Sequence, residues 1–158
     1  GGGFVSFHNF NNTLDDHRTY GLNGGSGTAH MIFLSESSVR HTASGLAWKL
    51  SVATETYITA NFPAVFPIAK VYCQANTLKT ISVWLRRTNT GLTGKLLVRG
   101  AQLAGMTLAD YVAPITVAAD IWEQVTVSFT PTEAGVVDVE VLLYGGTTYS
   151  LYVDHLTA

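Results

Sequence analysis

An all-β fold is predicted: an antiparallel β-sandwich preceded by an irregular N-terminal arm. Three observations carry it. After about residue 38 apolar side chains recur at every second position, turn-forming residues break those runs at short, even spacing, and no long stretch carries a helical period. Successive side chains of a strand point to opposite faces, so each alternating run has one buried and one wetter face, the pattern of antiparallel sheets.

From Gly1 to about Ser37 the chain is rich in Gly and Asn, with the breaker run Gly21 to Gly27. Phe4, Phe7, Phe10 and Leu14 come singly or in short clusters, and Met31 to Leu34 is the best strand candidate. These apolar residues either cap the main core or pack on a neighbouring subunit; the sequence leaves both open. The opening Gly1-Gly2-Gly3-Phe4 reads as a piece of a longer polypeptide or as a processed chain.

The remaining residues, 38–158, are expected to form one sandwich of about eight to ten strands. Leu46, Trp48, Leu50 and Val52 alternate with Ala47, Lys49 and Ser51, and Ile81, Val83 and Leu85 alternate with Ser82, Trp84 and Arg86. Val125, Val127 and Phe129 alternate with Gln124, Thr126 and Ser128, and Val137, Val139, Val141 and Leu143 with Asp138, Glu140 and Leu142. Asn89-Thr90-Gly91, Pro131 to Gly135 and Gly145-Gly146 carry turn chemistry between them. Only the stretch around Met106 to Tyr111 has helical character, and it is short.

Composition excludes several function classes. The 158 residues are 47% hydrophobic and 13% charged, which excludes a disordered chain. Nine Lys and Arg against eleven Asp and Glu give a net charge of −2, no footprint for nucleic acid. No apolar run approaches the roughly 20 residues of a membrane-spanning helix. A charged fraction about half that of an ordinary domain implies surface covered by partner subunits, or a Thr-rich β surface. Cys73 is the single cysteine and reads as a buried small hydrophobe.

The five histidines (His8, His17, His30, His41, His155) show no spacing that converges on a metal. Gly24-Gly25-Ser26-Gly27-Thr28 does not match a nucleophile elbow, and no phosphate-cradling glycine loop is present. No catalytic residue is assigned, and the chain is expected not to be an enzyme.

The binding candidates lie on strand faces. Trp84 and Arg86 stand opposite Ile81, Val83 and Leu85, and Arg99 stands opposite Leu96 and Val98. If both strands share a sheet, an indole and guanidinium groups meet on its outer surface, a platform for glycan that Tyr72, Tyr144 and Tyr152 extend. The competing reading packs Trp84 against the second sheet or a subunit interface. Trp48, in phase with Leu46 and Leu50, is expected in the core.

The strand Ile121-Trp122-Glu123-Gln124-Val125-Thr126-Val127-Ser128-Phe129-Thr130-Pro131, the strand Thr80 to Arg86 and the closing Tyr152-Val153-Asp154 resemble the jelly-roll carbohydrate-binding modules found beside secreted glycan hydrolases. The resemblance covers about residues 38–157. The phrases Trp84 to Gly94 and Pro131 to Val137 are also similar to β-sandwich domains of bacteriophage virion proteins, in fibres and capsid decorations.

The resemblance implies a jelly roll, a structural Trp122 and, at Asp154, a ligand for a structural Ca²⁺ (the alternative being a turn cap). The N-terminal Asn-x-Phe-Glu element that accompanies such a site is missing. The expected function is a non-catalytic structural or adhesion module of a phage virion, acting through subunit contacts and surface glycan. Its partners would be virion subunits in a trimer or other cyclic homo-oligomer, its place the virion surface or extracellular space. The alternative is a carbohydrate-binding module of a secreted glycan-degrading protein, and an adhesin-like bacterial surface domain is a third option.

Overall fold

A computed structural model of the chain describes residues 4–7, 18–21, 30–36, 38–41, 47–53, 64–99, 111–145 and 150–158. These described residues form eleven strands: β1 Phe4–Phe7, β2 Arg18–Gly21, β3 His30–Glu36, β4 Ala47–Ala53, β5 Ala64–Cys73, β6 Lys79–Arg87, β7 Leu92–Arg99, β8 Tyr111–Pro114, β9 Glu123–Phe129, β10 Gly135–Gly145 and β11 Ser150–Thr157. They form a five-stranded sheet of order β1-β5-β10-β7-β8 and a six-stranded sheet of order β2-β3-β4-β11-β6-β9. Every strand pair is antiparallel.

Residues 38–158 contribute eight of these strands, β4 to β11, and residues 4–36 add three more to the two sheets. β1 pairs with β5 at the edge of the smaller sheet, while β2 and β3 extend the larger one beyond β4. The short segment read as helical lies outside the described residues except for Tyr111, which opens β8. Among the described residues no helix is long and apolar enough to cross a membrane.

The alternating residues fill the space between the sheets. Val137, Val139 and Val141 of β10 are fully buried, as are Ile81, Val83 and Leu85 of β6 and Leu151 and Val153 of β11. Trp48 and Phe66 are the largest fully buried side chains. Burying each such side chain is worth about 1.5–3 kcal/mol, and this interior is the main force pressing the sheets together. Cys73 also lies here, wholly buried, and desolvation pushes its thiol pKa up while nearby Lys79 draws it partly back.

Two irregularities have local causes. Val139 pairs with Ala69 but Glu140 with Pro67, so Ile68 is the extra residue of a bulge. Pro67 has no N–H to donate, and a bulge is where a strand tolerates that. In β7, Gly94 lies opposite Leu143, and a Cβ there would stand well inside van der Waals contact of the Leu142 carbonyl oxygen.

Candidate functional site

β6 and β7 are consecutive but belong to different sheets. The connection Thr88–Gly91 carries the chain from one layer to the other, with Asn89 Oδ1 accepting from Gly91 N at 2.8 Å. The crossing is held by Arg87, which follows the inward phase of Val83 and Leu85 and is 7% exposed. Its Nε donates to Val117 O at 2.6 Å and its Nη1 to Leu92 O at 2.9 Å. No carboxylate faces it in these contacts; backbone carbonyls stand in for the counter-charge.

That crossing divides the expected platform, which required β6 and β7 to share a sheet. Trp84, Arg86 and Tyr152 lie on the larger sheet, whereas Arg99, Tyr72 and Tyr144 lie on the smaller one. On the smaller sheet Arg99 holds Glu140 through two hydrogen bonds, Nη2 to Oε2 at 2.9 Å and Nε to Oε1 at 3.3 Å. Lys70 beside it pairs with Asp138 at 2.6 Å. Tyr72 is 43% exposed on this face, and Tyr144 is half-buried against the core.

The outer face of the larger sheet is built in cross-strand rows. One row is Lys49, Tyr152 and Arg86, from β4, β11 and β6. The next is Asp154, Trp84 and Gln124, from β11, β6 and β9. Below them hydroxyls meet in pairs, Ser82 with Thr126 at 2.9 Å and Thr80 with Ser128 at 3.1 Å. Lys49, Tyr152, Arg86 and Trp84 are all half-buried. Their neighbours along each strand point inward, so alternation places these four side chains outward.

The segment Ser38–His41 meets this face at His41. His41 stacks on Trp84 with ring centroids 3.9 Å apart and 15° between planes, and Trp122 meets His41 edge-on at 5.8 Å. The Trp84 ring is therefore a wall shared with His41 rather than a bare plate.

Asp154 fastens the segment, accepting the backbone N–H of His41 on Oδ2 at 3.0 Å. Its Oδ1 accepts the N–H of His155 at 2.8 Å. His155 has a φ of 57° where the β11–β6 register slips, and this second hydrogen bond caps that slip. A calcium shell takes six to eight oxygens. Each Asp154 oxygen accepts an N–H, and among the described residues no three His, Cys, Asp or Glu side chains gather.

Two residues of this architecture were within reach of the sequence alternation. Lys49 sits outward between Trp48 and Leu50, and Arg87 is a charged residue at an inward position. The His41 stack had no local signal, because its partner lies 43 positions further along the chain.

No protein-family model matches the chain, and no curated protein is similar to it in sequence. Solved structures are similar in fold. The CBM22-1 xylan-binding domain of Paenibacillus barcinonensis Xyn10C matches 98% of this chain and 93% of its own, with a TM-score of 0.57 and 10% identity. Family 16 Carbohydrate Binding Module-2 matches 79% of this chain and 83% of its own, at a TM-score of 0.50 and 16% identity. The arabinose-bound MgGH51 α-L-arabinofuranosidase matches 98% of this chain at a TM-score of 0.61 and 11% identity, and the chain spans 26% of that longer one. At these identities the likeness is one of architecture: the chain has a two-sheet antiparallel jelly-roll fold like that of the CBM22-1 and Family 16 binding modules.

Proposed function

We propose that this protein is a non-catalytic carbohydrate-binding module acting outside the cell, and that it takes glycan on the outer face of its six-stranded sheet. The observation that carries the reading is the row Lys49–Tyr152–Arg86 beside Trp84, on a fold shared with the modules named above. Sugar rings pack their C–H faces on aromatic rings and accept hydrogen bonds in the plane of the ring. Tyr152 supplies the aromatic surface, and Arg86, Lys49 and the Ser/Thr hydroxyl pairs supply donors around it.

A glycan array, followed by affinity electrophoresis on the polysaccharides it selects, tests the proposal. Tyr152→Ala is expected to remove binding and Tyr72→Ala, on the opposite sheet, to leave it intact. A chain that binds no glycan refutes the proposal.

The virion reading has its own support, the 13% charged fraction. It predicts a cyclic homo-oligomer, and a monomer by light scattering at high concentration contradicts it. The structural neighbours favour the free-standing or enzyme-attached module over the virion subunit.

A further inference from the structure

The six-stranded sheet carries two cations that the rest of the described protein does not neutralise. Elsewhere in the sandwich, Lys70 is paired with Asp138, Arg99 with Glu140, and Arg87 with backbone carbonyls, while Lys95 on the five-stranded sheet stands singly, with no second cation and aromatic ring in its row of described residues. Neither Lys49 nor Arg86 has an ion pair with a described residue, and the Arg86 Nε is buried with no acceptor. Asp154, the carboxylate one row away, is occupied by the N–H groups of His41 and His155. Strands in a sheet lie about 4.8 Å apart, so the Cα atoms of Lys49 and Arg86 stand roughly 10 Å apart with Tyr152 between them.

Among the described residues of a chain of net charge −2, this row is a local excess of positive charge centred on an aromatic side chain. A ligand that fits it brings its own anions at the edge of a ring that can pack on Tyr152. We infer that the glycan this face takes is acidic, a polymer containing uronic acid residues. A uronate carboxylate is planar and accepts two parallel N–H bonds from a guanidinium, which a neutral hydroxyl does not. Arg86 holds the carboxylate, Lys49 adds attraction from the other side of the row, and the pyranose ring lies over Tyr152. This inference rests on the reading of the protein as a glycan-binding module.

The test compares polygalacturonate with the same polymer after methyl esterification, and both with neutral xylan, by affinity electrophoresis and calorimetry. Wild-type protein is expected to bind polygalacturonate, to lose about tenfold or more on the ester, and to weaken as salt is raised. The double variant Lys49→Gln/Arg86→Gln is expected to bind polygalacturonate about tenfold more weakly while keeping the wild-type melting temperature. Equal affinity for acid and ester, or binding to neutral xylan alone, overturns the inference and leaves the module reading standing. Binding to no glycan at all overturns both. The acid–ester comparison uses wild-type protein, so it decides the matter even if the variant does not fold.

Discussion

Replacing Arg87 by methionine removes the hydrogen bonds at the sheet crossing while keeping an apolar side chain of similar length. In the native protein Val117 O and Leu92 O accept from the guanidinium at 2.6 and 2.9 Å; the contact to Thr90 O at 3.4 Å is too long to count fully. Residues 92 and 117 are 4% and 1% exposed, so water does not readily replace the lost donors. Each buried carbonyl left without a donor costs about 1–3 kcal/mol, or about 2–6 kcal/mol for the two. Removing a buried charge relieves desolvation, which offsets part of that. A net loss of about 2–4 kcal/mol is expected. For a chain of this size that lowers Tm by roughly 5–15 °C. Urea unfolding followed by tryptophan fluorescence measures it as a lower midpoint at unchanged slope. A variant within about 0.5 kcal/mol of wild type, inside the ordinary range of a surface substitution, would refute the idea that carbonyls neutralise this guanidinium and lock the crossing.

Gly94→Ala drives a Cβ into the Leu142 carbonyl oxygen in the native geometry, and is expected to cost about 1–3 kcal/mol or more as β7 and β10 are forced apart. An unchanged thermal melt would contradict that close approach. Cys73 is expected to resist iodoacetamide in the native state at mildly alkaline pH and to react quickly in urea. Its thiol holds its proton more firmly folded than unfolded, so the associated stability is present below the ordinary pKa of 9.0 and declines as pH rises through the higher folded value. Urea midpoints that rise between neutral and strongly alkaline pH would contradict the sign.

What the sequence disclosed follows the range of the forces involved. Alternation is a local property, so it separated the buried Val83 and Leu85 from the outward Trp84 and Arg86, and placed Trp48 inside. Sheet membership is not local. The four-residue link Thr88–Gly91 has the length of a hairpin loop, yet it joins two layers, with Arg87 beside it collecting carbonyls from Leu92 and Val117. Nothing in the link itself distinguishes the two outcomes, so the condition that would bring Arg99 beside Trp84, a shared sheet, is not legible locally, and the structure sets Arg99 on the other sheet.

The segment before residue 38 follows the same logic. Met31 to Leu34 shows in sequence as a short apolar cluster and lies within β3, but its pairing with β4 depends on partners at residues 47–53. Asp154 stood out as the acid of a closing strand. Its bond to the His41 amide depends on a contact spanning 113 positions, beyond any motif.

Amide chemical shifts of the protein, titrated with the glycan selected on the array, locate the binding face residue by residue. Recognition on the six-stranded sheet predicts that the shifts concentrate at Lys49, Trp84, Arg86 and Tyr152. Shifts confined to Tyr72, Arg99 and the rest of the five-stranded sheet, or spread along the loop ends with that row silent, would contradict it.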